Sequence, residues 1–257
     1  MAIIGRPINN RVGEINYNTK GSRMKIIECI NARNIVVIFD NGYKTKTEYS
    51  QFKKGQIKNP YDKTIYNVGY IGEGYYKLIT HKNIYKHWSS MIRRCYADNK
   101  NKFNPTYKDC SVCEEWHNFQ NFGKWFDENY YTIENETMAL DKDILVKGNK
   151  TYSPETCVFV PQRINSLFLK RNKSRGKYPI GTTYNKRDKK YESCCHMYKN
   201  NRYTRHAIGN FDTPTEAFTA YKTFKEQYIK QVANEYKDKI PKKLYDAMYS
   251  WEVNIND

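Results

Sequence analysis

The sequence predicts an α+β protein of several modules. These are a small N-terminal β unit, central helices joined to a strand–loop–strand–helix segment, and a C-terminal three-stranded antiparallel sheet with one helix. Three observations carry the prediction. Two β-branched runs, KIIECI at 25–30 and NIVVIF at 34–39, are separated by the turn-forming NARN. Ile84, Trp88, Met91, Ile92 and Cys95 recur at the spacing of one helix face. From 180 to 208, three short polar strands precede FDTPTEA and a second helical pattern. The expected boundaries are 1–75, 76–170 and 171–257.

Taken in order, the first segment is rich in Gly and Asn before its hairpin, so loops are expected there. DNGY after Phe39 reads as another turn, and KTKTEY as an exposed strand. The stretch 59–80, with Pro60, Gly69, Gly72 and Gly74 among tyrosines, reads as a linker. Residues 82–97 form one helix. Residues 111–129 form another, with Trp116, Phe119, Phe122 and Phe126 spaced by three and four as core, and Ser111 with Glu114 as a capping box. Within 138–165, a strand ends at Leu140, a polar loop follows, CVFV is a second strand and PQRINSLFLK starts a helix. The C-terminal strands are expected at 180–184, 190–197 and 203–208. Turns fall at Asn185–Lys189 and Asn200–Asn201. The helix 214–230 places Ala217, Phe218, Tyr221, Phe224 and Tyr228 on one face, and a further helix breaks at Pro241.

Charge narrows the partners. In a chain of 257 residues, 44 Lys and Arg against 27 Asp and Glu leave a net charge of +17. Such a balance points to a polyanion. It is unevenly placed, with +7 over residues 1–80, +1 over 81–169 and +9 over 170–257. Basic flanks therefore enclose a nearly neutral centre whose carboxylates are available for another task. No apolar run approaches the ~18 residues of a membrane helix and no signal peptide is visible, so a cytoplasmic protein with no membrane partner is expected. Seven cysteines without a framework read as free thiols.

Two segments resemble known families. PIGTTYNKRDKKYESCCHMYKNNRYTRHAIGNFDTPTEAFTAYKTF resembles the Apetala/ethylene-response-factor type of DNA-binding domain. MALDKDILVKGNKTYSPETCVFVPQRIN resembles the ββα finger of HNH endonucleases, and the combination resembles phage proteins that join the two. Together these segments span under a third of the chain.

The first resemblance implies a sheet laid into the major groove of double-stranded DNA. Thr183, Asn185, Lys186, Arg187, Lys189, Lys190 and Tyr191 would face DNA from the first two strands, and Arg202 and Arg205 from the third. The basic linker holding Lys170, Arg171, Lys173 and Arg175 would follow the phosphate backbone. The second implies one divalent metal, magnesium or manganese, held by hard oxygen ligands at Asp141 and Asn165. There it would stabilise the leaving oxygen of a phosphodiester. Lys142, Asp143 and Asn149 are the candidate catalytic residues. The family's His base follows the first Asp, and in this chain that position is Lys142. Lysine has an ordinary pKa near 10.4 and serves as a base only when strongly desolvated. Otherwise it is a cation for phosphate, and a water or His81, His87 or His117 takes the proton.

Other motifs carry less. Cys110-Ser-Val-Cys113 has the spacing of a zinc half-site, but Cys157 and Cys194–Cys195 do not complete it, so zinc is not expected. His196 and His206 lie on predicted strands as surface or phosphate contacts. Gly72-Glu-Gly74 is too isolated for a nucleotide site, and no phosphate-binding loop of the Walker type occurs. The resemblance thus implies a homing-type HNH endonuclease, and a single site per chain favours a nickase. The competing reading is a catalytically inactive DNA binder, acting as a regulator or as a phage inhibitor of a host nucleic-acid defence. A third class is an inhibitor directed at a host protein partner.

Overall fold

The computed structural model describes residues 11–98, 107–169, 177–199 and 202–255. The architecture is α+β. The chain forms two compact units, one of residues up to 108 with 112–124, the other of 109–111 with 125 onward.

The first unit opens with an antiparallel meander of β1 Ile15–Tyr17, β2 Arg23–Asn31, β3 Asn34–Phe39 and β4 Lys44–Thr47, in that order. Alternate residues of β2 and β3 point to opposite faces. Met24, Ile26, Ile35, Val37 and Phe39 fill one face, while β4 buries no side chain. The short helix α1 Tyr49–Lys53, absent from the sequence reading, closes this core with Phe52. Its signal is slight, a single buried aromatic in one turn and a half. β1 also lies in a stretch expected to be loop.

Residues 59–80 are not a linker. Asp62 accepts hydrogen bonds from the Asn18 amide (2.7 Å) and the Ser22 hydroxyl, which tie this stretch to the β1–β2 turn. The Gln120 amide donates to the carbonyls of Ile71 and Tyr76 (3.0 Å each) and accepts from the Tyr76 N–H (2.9 Å). The glycines that suggested flexibility serve close packing instead. A Cβ on Gly69 would meet the Trp88 ring at 2.9 Å.

α2 Lys82–Tyr96 buries Ile84, Trp88, Met91, Ile92 and Cys95, the face read from the sequence. The continuous helix expected over 111–129 is instead a two-residue strand Ser111–Val112, a 3₁₀ turn Glu114–His117 and α3 Phe119–Asn129. Ser111 is extended and bonds Thr151 (3.0 Å), so it forms no capping box with Glu114. The Asn118 side chain accepts from the Gln120 N–H (3.0 Å) and starts the helix afresh. Trp116, Phe119, Phe122 and Phe126 are buried, as expected for core.

In the second unit, β5 Met138–Asp141 pairs antiparallel with β6 Val158–Pro161, from Met138 opposite Pro161 to Asp141 opposite Val158. Pro161 then caps α4 Gln162–Leu167. The ββα order is therefore present. A three-stranded antiparallel sheet follows, with β8 Lys190–Lys199 between β7 Thr182–Asn185 and β9 Arg202–Phe211. α5 Pro214–Glu235 begins at a capping box. The Thr213 hydroxyl accepts from the Glu216 N–H (3.2 Å) while the Glu216 carboxylate accepts from the Thr213 N–H (3.1 Å). The helix runs past the expected residue 230. Pro241 then starts α6 Lys242–Tyr249 instead of interrupting a helix.

α5 is covered on two stretches. Phe218 and Tyr221 lie in one cluster with Cys195 of the sheet. Tyr228, Ile229, Val232 and Ala233 lie in another with Ile144, Val158, Val160, Ile164 and Leu167 of the ββα segment. Each large aliphatic side chain so buried contributes about 1.5–3 kcal/mol. The finger and the sheet thus share one helix as core. β7 sits close on that helix at Gly181, where φ is +77° and an added Cβ would fall 2.1 Å from the Tyr221 ring.

Candidate functional site

The finger loop is stabilised from within. Asp141 ends β5, and its Oδ1 accepts the backbone N–H groups of Asp143 (2.9 Å) and Ile144 (2.8 Å), an Asx turn that reverses the chain. Burial, together with the neighbouring Asp143 carboxylate, pushes the Asp141 carboxyl up to about 6, against the opposing pull of the turn N–H groups and Lys142. The Asn149 amide donates to the carbonyls of Lys142 (2.7 Å) and Thr151 (2.6 Å) and accepts the Thr151 N–H (3.2 Å). Its hydrogen-bonding groups hold the loop closed.

Lys142, only 8% exposed, lies inside this loop. Its ammonium is 3.4 Å from an Asp143 carboxylate oxygen and 5.9 Å from the centre of the Tyr152 ring. Burial acts to lower its pKa, but Asp143, Cys110 and Asp141 act the other way and prevail, holding it above the ordinary lysine value. The side chain is therefore a cation at neutral pH. Cys110, 4% exposed, has its thiol pushed up by burial despite Lys142 and Lys150.

Asn165 is half-buried on α4, and its side chain makes no hydrogen bond to a described residue. Several of the expected oxygen donors are already engaged. Asp141 Oδ1 holds two backbone N–H groups, Asp143 faces an ammonium, and the Asn149 oxygen is engaged by Thr151. Among the described residues, no three His, Cys, Asp or Glu side chains are grouped to hold an ion. His81, His87 and His117 all belong to the first unit. Burial lowers His87 to about 4, helped by Lys86 and Arg94, and it lowers His117 against the pull of the Val112 carbonyl.

The sheet separates the residues expected to face DNA. Ser193 and Cys195 of β8 are buried, and the His206 ring stacks on Phe224 of α5 at 4.7 Å, which fixes the face toward the helix. Alternation with the cross-strand register then assigns the rest. Thr183, Asn185, Lys190 and Arg205 share the outer face. Tyr191, opposite Tyr184, alternates with the helix side, where the two rings lie 5.1 Å apart and Tyr178 is 5.2 Å from Tyr191. Arg202 falls three residues from Arg205 and so on the other face of β9. Two outer cations already have partners, Arg205 with Glu192 (2.7 Å) and Lys190 with Asp212.

The β7–β8 turn presents a group of exposed cations. Lys186, Arg187 and Lys189 are exposed there, and the Arg187 guanidinium pairs with its neighbour Asp188 (2.8 Å). The turn is built by Asn185, whose side-chain oxygen accepts the N–H groups of Arg187 (3.0 Å) and Asp188 (3.3 Å), with Lys189 at φ +51°. Lys170, Arg171, Lys173 and Arg175 lie outside the described residues.

No family model, curated protein or solved structure matches the chain. No helix among the described residues is long and apolar enough to cross a membrane.

Proposed function

We propose that the chain binds double-stranded DNA and holds it without cutting it. The observation that carries this reading is Lys142. At the position where the resembling nucleases have a His base, this chain has a buried ammonium paired with Asp143. A protonated amine accepts no proton from water. The net charge of +17 and the exposed Lys186, Arg187 and Lys189 support phosphate contacts, with the outer sheet face beside them. In this reading the finger braces α5 and the sheet. The biological roles that follow are a regulator or a phage inhibitor of a host nucleic-acid defence.

A second reading, the HNH-type nickase using magnesium or manganese, is favoured by one observation. The Asp141 carboxyl is raised first by burial and then by Asp143, and a divalent cation would relieve the carboxylate repulsion. Supercoiled plasmid incubated with magnesium or manganese separates the two. The expected result is retention on DNA that weakens steeply with salt, with no nicked or linear product. A nicked product lost in Asp141→Ala would overturn the non-cutting reading. Absence of retention at low salt would overturn DNA binding and favour an inhibitor acting on a host protein.

A further inference from the structure

A cavity of about 360 Å³ in the first unit is unrelated to the finger and the sheet. One wall is a stripe of α2, Tyr85, Ser89 and Arg93 at i, i+4 and i+8, with Ser90 beside it; the other is Thr64, Ile65 and Tyr66. Its size lies at the low end of small-molecule sites, about 300–1,000 Å³.

Its chemistry is uneven in an informative way. Two phenol rings, three hydroxyls and one guanidinium converge, and no carboxylate lines the space. Arg93 is exposed, and its guanidinium makes no hydrogen bond or ion pair to a described residue. Tyr85 is half-buried and fixed by Trp88 (ring centres 5.9 Å apart) and Phe119 (5.8 Å). Tyr66 is 40% exposed.

The backbone presents Tyr66 at a cost. The Val68 N–H bonds the Ile65 carbonyl (3.1 Å) around Tyr66 and Asn67, which have φ of +51° and +58°. Both values belong to the left-handed turn that Asn and Gly adopt most easily. An aromatic residue in the first position is unusual and persists only where surrounding structure holds it. Here Gly69 lies flush on Trp88 and anchors the turn against α2.

We propose that this cavity binds a single nucleotide unit. The base lies against Tyr66 and Tyr85, the phosphate on Arg93, and the sugar among Thr64, Ser89 and Ser90. Aromatic rings stack on any base, and a guanidinium pairs with phosphate. The unit comes either from free nucleotide or from an unpaired nucleotide of a DNA strand. The inference does not depend on the finger or on the basic turn.

The test titrates the full chain with dAMP, adenosine and inorganic phosphate by calorimetry. In parallel, it uses a duplex carrying one bulged 2-aminopurine nucleotide and the same duplex fully paired. Saturable binding is expected for dAMP, for the bulge, or for both, tighter than for adenosine or phosphate. About tenfold weakening is expected in Arg93→Ala and in Tyr66→Asn, which removes the ring but suits the turn. Binding of dAMP alone identifies the free nucleotide as source, and bulge-dependent fluorescence quenching identifies the strand. No saturation by either probe, phosphate binding as tight as dAMP, or unchanged affinity in both variants with native melting curves would overturn the inference. Paired-duplex retention should be the same in Arg93→Ala as in wild type. Its absence in every variant, with dAMP still bound, would sink the proposed DNA function and leave this site standing.

Discussion

Asp141 places one carboxylate oxygen on the N–H groups of Asp143 and Ile144, and this turn would survive replacement by an amide. The charge, by contrast, is unfavourable there. The carboxyl titrates at about 6 in the folded chain, against an ordinary value of 3.8. Between these pH values the folded state binds more protons than the unfolded state, so stability falls as pH rises through the window. Asp141→Asn removes that loss and keeps an oxygen for the turn. In urea unfolding with EDTA, the variant should match wild type near pH 4 and exceed it by about 1–3 kcal/mol at pH 7.5. Equal stabilities at both pH values would show that the buried charge is of no consequence. Asn149 illustrates the complementary lesson. Its position in the loop suggested catalysis, yet its three hydrogen bonds stitch Lys142 to Thr151. A residue type common to metal sites and to turns cannot be assigned from spacing alone.

Elements with strong periodicity were legible in the sequence. α2 buries the five residues of its apolar stripe, and the β2–β3 hairpin follows its β-branched runs. α5 starts at Pro214, the first residue expected of it. Elements decided by distant partners were not legible. Gln120 orders residues 71–76 from 44–49 positions away, and Asn118 divides an aromatic pattern that reads as one helix. The face assignment in the C-terminal sheet was hidden for a related reason. It depends on which side α5 covers, so Tyr191 and Arg202 appear equivalent to Thr183 and Arg205 until the helix is in place. Gly181 makes that coverage testable. Gly181→Ala puts a Cβ against the Tyr221 ring at a position with φ of +77°. The substitution should destabilise the chain by about 2–4 kcal/mol in denaturant unfolding. An effect below ~0.5 kcal/mol would mean that β7 does not rest on α5 as described.

At the scale of the whole molecule, the proposed binding of DNA by a chain of net charge +17 makes a prediction about salt. Each phosphate neutralised on duplex DNA contributes about −0.9 to the slope of log affinity against log salt. Lys186 and Lys189 are exposed in the β7–β8 turn. Replacing both by Gln should make that slope shallower by about two units, while melting behaviour stays unchanged. An unaltered slope would remove the turn from the interface and direct attention to the cations elsewhere on the chain.

The double coverage of α5 also bears on how such a protein can be inherited. The sheet is not a cassette. A genetic exchange carrying only the sheet and its helix into another chain would deliver Tyr228, Ile229, Val232 and Ala233 without the finger residues that cover them. The recipient would gain an oily flank in water along with the sheet. The segment that keeps its core intact in such an exchange includes the finger.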